Sequence, residues 1–224
     1  MLDLRFTDFQ GSVMFNLDPQ TILPSLAIVL LAIPIHEWAH CWAAYMLGDP
    51  TPGSEGRLTL NPLLHLDPIG TLMIFVTGFG WGRAARVNPY QMWRVKNPRV
   101  GMAITAFAGP FSNIVLALFF ALPFRLGLIN PQQAGFLTNF LYYIIVINVG
   151  LAMFNLLPIP PLDGSRILAG FAPPAVADFI ESLEPAAPVI LMVVLFLLPM
   201  VGLDLINLLL RPAMTFMLQA IFWW

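Results

Sequence analysis

Two histidines and a glutamate fall within five residues of each other in "PIHEWAHCW", residues 34–42, inside a run that is otherwise apolar. His36 and His40 are four apart. On a helix that spacing puts both imidazoles on one face, one turn apart, where they can reach one ion. Glu37 lies about 100° round from His36, placed to contact a water on that ion. HExxH on a helix is the pattern of a zinc hydrolase, two ligands and a general base. Such a site needs a third protein ligand and a position left for water. Its bland alternative is a satisfied polar cluster. That reading is disfavoured, because ionisable groups in an apolar span are costly to keep without a function.

Three residues compete for the third ligand: His65, Asp67 and Asp163. Asp163 is the favoured one. It stands in "FNLLPIPPLDGSRIL", residues 154–168, where Pro158, Pro160 and Pro161 forbid regular helix. Irregular backbone at membrane depth is tolerated only around a cavity. The competing role for Asp163 is an N-cap for the helix that starts near Ser165. His65, in "NPLLHLDP", is the runner-up. Cys41 neighbours His40, points to another face of the helix, and is expected to be a buried, inert thiol. Asn113 and Asn148 are polar residues inside spans and read as interhelical hydrogen bonds rather than catalytic groups. Ser112 and Ser165 have no histidine free to activate them, which disfavours a serine mechanism.

The elements that must position these groups belong to a membrane protein. The chain has 224 residues, 58% hydrophobic and only 10% charged, against about 25% charged in a soluble domain. Its net charge of −2 offers no basic bulk for nucleic acid. One cysteine excludes an intrachain disulfide. No cleavable signal is evident, and residues 1–19 read as an arm along the membrane surface. Spans of about 20 apolar residues fall at 21–47, 101–122 and 136–157, and a fourth begins near Pro188. The fourth is broken by Pro199 and Gly202, so its far half is expected to kink or fold back. The tail ends in aromatics suited to the membrane–water interface. The predicted architecture is an all-α integral membrane bundle of about four to six segments, formed by residues 1–224 as a single domain.

Between the first two spans, "GRLTL" at 56–60 alternates like a short strand, a candidate edge for an unwound substrate. Residues 69–80 are apolar but too short to cross, hence a re-entrant piece. "RAARVNPYQMWRVKNPR" follows, with five of the ten basic residues and no acid. Positive loops stay cytoplasmic. If 69–80 does not cross, HEWAH and the segment after residue 155 then face the cytoplasmic side together. Arg57 and Arg166 are candidates for the mouth of a water channel to the site.

HEWAH in a membrane span together with "NLLPIPPLDGSR" at 155–166 resembles the site-2 protease family of intramembrane zinc metalloproteases. "AGPFSN", 108–113, is similar to that family's Gly-Pro-x-x-Asn element, and "GRLTLNPLLHLDPIGTL", 56–72, to a stretch of its short prokaryotic branch. The likeness runs from about residue 30 to 170, and the pairing of HExxH with LDG is specific. It implies one zinc per chain held by His36, His40 and Asp163, with Glu37 as catalytic base. It also implies that Asn155 contacts the substrate backbone or the oxyanion. Nothing resembles a PDZ or CBS domain. The implied activity is endopeptidase cleavage within or near transmembrane helices of membrane-protein substrates, in the cell membrane, with the site toward the cytoplasm. Two other functions use the same residues: a membrane metal transporter, and an inactive scaffold that binds helices. Ligands gathered in one HExxH and one LDG, with Glu37 intact, favour the enzyme. Substrate identity and oligomeric state are not legible.

Overall fold

The structure is a computed structural model and describes residues 26–77, 80–131, 133 and 135–222. The expected surface arm at 1–19, the start of the first span and the terminal Trp223 and Trp224 lie outside the described residues.

Helix α1, Ile33–Leu47, carries HEWAH and continues from a π-helical turn, Ile28–Ala32. Pro34 accounts for that turn. It has no amide to donate back one α-helical turn, and the neighbouring Ile33 amide bonds to Ile28 instead, one residue further than an α-helix would reach. α1 ends at Gly48, whose φ of 108° suits glycine. A side chain there would run into the Trp93 indole, with its Cβ 3.1 Å from Cε2.

α2, Pro68–Thr77, has ten residues. At 1.5 Å per residue it rises about 15 Å, half of a bilayer core. The chain then comes back. Gly82 pairs with Leu66 in an isolated antiparallel bridge, and Arg83 N–H donates to the His65 carbonyl at 2.8 Å. The described residues on either side, Leu66 and Gly82, thus lie next to each other, as the re-entrant reading of this stretch expects. The strand expected at 56–60 does not form. Leu58 and Thr59 are bends, and the Leu66–Gly82 bridge is the β-pairing seen among the described residues. Prolines and glycines around 50–62 favour turns over a ladder.

α3, Pro98–Arg125, is started by the Asn97 side chain, which accepts from Arg99 N–H. It is the central helix and packs against α1, α4 (Phe136–Asn155) and α5 (Asp163–Phe171). α6, Pro174–Ser182, leads into α7, Ala187–Met192, which runs on to Met200. Pro98–Arg125, Phe136–Asn155 and Pro174–Met200 are long and apolar enough to cross a membrane. After a turn at Gly202 (φ 83°), α8, Leu205–Phe222, folds back onto α4 and α3, as the break at Pro199 and Gly202 predicts. The core between them pairs small Ala117 and Ala121 of α3 with Leu141, Ile145 and Val149 of α4 and Met214, Leu218 and Ile221 of α8. Small residues let helix backbones approach where no water is left to expel. Arg125 closes the far end of α8 by donating to the Ile221 and Ala220 carbonyls at 2.6 and 2.9 Å.

Candidate metal centre

His36, His40 and Asp163 come together from α1 and the first residue of α5, all three buried. The two Nε2 atoms are 3.0 Å apart, and Asp163 Oδ2 is 3.2 Å from His36 Nε2 and 3.3 Å from His40 Nε2.

The outer nitrogens show which electron pairs face inward. His40 Nδ1 is 2.7 Å from the Thr105 carbonyl, which can only accept, so Nδ1 carries the proton. His36 Nδ1 donates to Asn113 Oδ1 at 2.7 Å. In the neutral imidazoles that a metal requires, both Nε2 atoms then turn lone pairs toward each other and a carboxylate. Asp163 Oδ2 is buried with no hydrogen-bond partner. One proton could serve one such pair, whereas a tetrahedral cation serves all three. Two ligands at zinc's usual 2.0–2.1 Å sit about 3.3 Å apart, which is the spacing seen. The donor set and its outer hydrogen bonds fit the ion.

Two glycines make this approach feasible. Gly109 of α3 lies over both imidazoles, and a Cβ there would overlap His40 and come within 2.7 Å of His36 Cε1. At Gly164 a Cβ would overlap the carbonyls of Leu156 and Leu157, so the turn after α4 folds back against its own end only with glycine. Pro158, Pro160 and Pro161 end α4, the Pro160–Pro161 peptide is cis, and Leu162 is extended. Leu162 is the N-cap and Asp163 the first residue of α5, so Asp163 is not the N-cap.

The other candidates separate from this cluster. His65 is fully buried with Nε2 donating to the Thr59 carbonyl at 2.7 Å and is not part of the His36, His40 and Asp163 group. Asp67 accepts from Gly70 N–H at the start of α2. Cys41 is a buried free thiol. Asn155 ends α4 with Nδ2 donating to the Leu151 carbonyl at 2.9 Å and is outside the three-residue group. Asn113 and Asn148 do bond between helices, Asn113 Nδ2 donating to Asn148 Oδ1 at 2.9 Å.

Glu37 faces the segment that returns after α2. Its Oε2 accepts from Ala85 N–H at 3.3 Å. That segment is pinned in three more places. The buried Arg57 donates Nη1–H to the Arg83 carbonyl at 2.8 Å. The fully buried Asp49 accepts from Asn88 N–H at 2.7 Å and from Thr51 N–H at 2.9 Å. Arg94 donates to the Met46 carbonyl at 2.7 Å. Arg57 is thus a strut of the loop over Glu37, while Arg166 is half-exposed beside Glu184 at 3.6 Å. Asp49 belongs to none of the motifs, its sequence signal being a charge just past an apolar span, and Arg57 lies in the 56–72 stretch, which does not reveal that it braces this loop.

A helical membrane protein with a His–His–Asp centre under a helix of small residues is the class that fold and site define. Residues 123–201 match the model described as Peptidase family M50. Over 188 residues, 81% of this chain and 84% of the relative, it is 41% identical to "Putative zinc metalloprotease YwhC" of Bacillus subtilis. It is also 31% identical over 141 residues to "Putative zinc metalloprotease Rip2" of Mycolicibacterium smegmatis, covering 60% of this chain and 52% of that one. With Rip2 of Mycobacterium tuberculosis it is 29% identical over 173 residues, 76% of this chain and 65% of the relative. The chain belongs to peptidase family M50, the site-2 protease family, and is a metallopeptidase. No solved structure matches.

Proposed function

We propose that this chain is an intramembrane zinc endopeptidase that cuts peptide bonds within or near transmembrane helices of other membrane proteins, with its site toward the cytoplasm. The observation that carries the reading is the buried convergence of His36 Nε2, His40 Nε2 and Asp163 Oδ2, 3.0–3.3 Å apart, one residue along the helix from Glu37. His36, His40 and Asp163 hold the zinc. A zinc ion held there supplies Lewis acidity toward water and toward a peptide carbonyl.

The remaining work falls to this chain's own groups. Glu37 takes the proton from the attacking water and delivers it to the leaving amide nitrogen. The Ala85 amide holds Oε2 of Glu37, and the proton is taken by the other carboxylate oxygen. Asn155, at the end of α4 and eight residues before Asp163, offers its side-chain amide to the substrate backbone or the oxyanion. The substrate helix must unwind first, because its peptide bonds are shielded by their own hydrogen bonds. Helices containing Gly, Asn or Pro are preferred for that reason.

The test compares zinc content and cleavage of a single-span reporter by detergent-purified wild type and Glu37→Gln. Zinc retained at one per chain with cleavage reduced roughly 100- to 10,000-fold is the expected result. Cleavage that survives Glu37→Gln removes Glu37 from the reaction. Zinc bound and moved across vesicles, with no cleavage, would favour the transporter reading. A wild type that binds the reporter and never cuts it would favour the scaffold.

A further inference from the structure

We infer that Asn148 is a positioning residue for the metal ligand His36, acting through Asn113 across three helices. The inference rests on the reading of His36 as a ligand.

An asparagine amide has one face that only accepts and one that only donates, and the two are nearly the same shape. Which face Asn113 turns to His36 decides whether His36 can bind metal. With Oδ1 toward Nδ1, as found at 2.7 Å, the neutral form of His36 keeps its proton on Nδ1 and turns Nε2 to the centre as an acceptor. With the amide reversed, Nδ2 would donate to Nδ1. The proton would then move to Nε2 and close the ligand position.

The amide is held in the first orientation by two acceptors behind it. Asn113 Nδ2 donates to Asn148 Oδ1 at 2.9 Å and to the Ala32 carbonyl at 3.3 Å. The shorter contact is to Asn148, an amide that could itself reverse. It does not, because its Nδ2 donates to the Ile144 carbonyl at 2.8 Å, and a backbone carbonyl can only accept. Polarity therefore runs one way, from the Ile144 carbonyl on α4, through Asn148, to Asn113 on α3 and His36 on α1. Asn113 and Asn148 are 0% and 1% exposed, so water cannot replace either partner. A buried amide left without partners is costly, which couples the three orientations.

The experiment uses the detergent-purified full chain with histidines labelled by nitrogen-15. Three forms are compared: wild type, Asn148→Leu and Asn148→Asp. Asn148→Leu keeps the volume and removes both hydrogen bonds. Asn148→Asp is protonated in this apolar setting, so one oxygen donates to Ile144 and the other accepts from Asn113. Two quantities are read: the His36 tautomer in metal-free protein, and zinc affinity by competition with a chromogenic chelator.

The expected wild type has His36 protonated at Nδ1. Asn148→Leu shifts His36 toward the Nε2–H form and weakens zinc about 10- to 100-fold, the usual cost of losing an outer-shell partner. Asn148→Asp restores both readings to near wild type. A folded Asn148→Leu with wild-type tautomer and affinity overturns the inference, as does Asn148→Asp behaving like a variant that has lost the orientation. If Asn148→Leu does not fold, the wild type and Asn148→Asp decide it: His36 protonated at Nε2 in either overturns it. A wild type that binds no zinc would sink the proposed function and leave the tautomer result standing separately.

Discussion

At the residue scale, the centre depends on atoms that are missing as much as on those present. Gly109 is the clearest case, since a single added methyl would meet both imidazoles, 2.7 Å from His36 Cε1. Both rings are held from behind, His40 by Thr105 and His36 by Asn113, and cannot retreat without breaking a buried hydrogen bond. Gly109→Ala is therefore expected to abolish stoichiometric zinc binding while α3 remains helical, checked by metal content beside circular dichroism. Asp163→Ala removes the one negatively charged ligand and should also lose zinc. Asp163→Asn, which keeps the size but supplies a much weaker donor, should retain it only at raised zinc concentration, measured by chelator competition. His65→Ala should keep full zinc content, because His65 bonds to Thr59 and stands outside the ligand cluster.

At the element scale, the segment after α2 holds Glu37, the proposed general base, without being a regular element. It depends on Arg57 and Asp49, which reach it from the stretch just after α1, and on Arg94, which ties its far flank back to the Met46 carbonyl of α1. Asp49→Ala takes a fully buried acceptor away from the part-buried amides of Asn88 and Thr51. An unsatisfied buried donor costs about 1–3 kcal/mol. A fall in stability of that order, read by thermal unfolding in detergent, is the expected outcome. Arg57→Met keeps the stem and removes the donor to the Arg83 carbonyl. It should lower kcat for reporter cleavage while zinc content is unchanged, since the hydrogen bonds of His36, His40 and Asp163 among the described residues go to α1, α3 and each other and not to this loop. Equal loss of zinc and activity would mean that the strut supports the whole centre rather than the base.

At the scale of the whole molecule, topology decides which compartment supplies water to the site. α2 is too short to cross, and Gly82 returns to Leu66. On the proposed orientation the exposed Tyr90, beyond that return, is cytoplasmic, and the exposed Leu128, in the turn between α3 and α4, is on the opposite side. Cys41 is fully buried, so background labelling is low. In a chain carrying Tyr90→Cys, an impermeant maleimide should label inverted vesicles and spare intact cells, and Leu128→Cys should give the reverse. Both cysteines labelled from one side would show that the chain crosses the membrane an even number of times between them, and the parity argument would fail.

The type of chemistry and the class of fold were legible in the residues alone, because both rest on local rules. Two histidines four apart share a helix face whatever surrounds them, and long apolar runs with 10% charge leave a membrane bundle as the economical fold. Pro158, Pro160, Pro161 and Gly164 likewise announced a turn that could carry Asp163 out of α4. The third ligand was open among His65, Asp67 and Asp163, since spacing along the chain says nothing about distance across it. Only the packing of α5 under α3 and α1 brought Asp163 Oδ2 within 3.3 Å of both imidazoles. The alternation in "GRLTL" pointed to a strand that the turns around it do not permit. The buried Asp49 and Arg57, the Ala85 amide on Glu37, and the one-way chain from Ile144 to His36 came from tertiary contact. Each joins residues dozens of positions apart, and only the folded backbone sets which donor meets which acceptor.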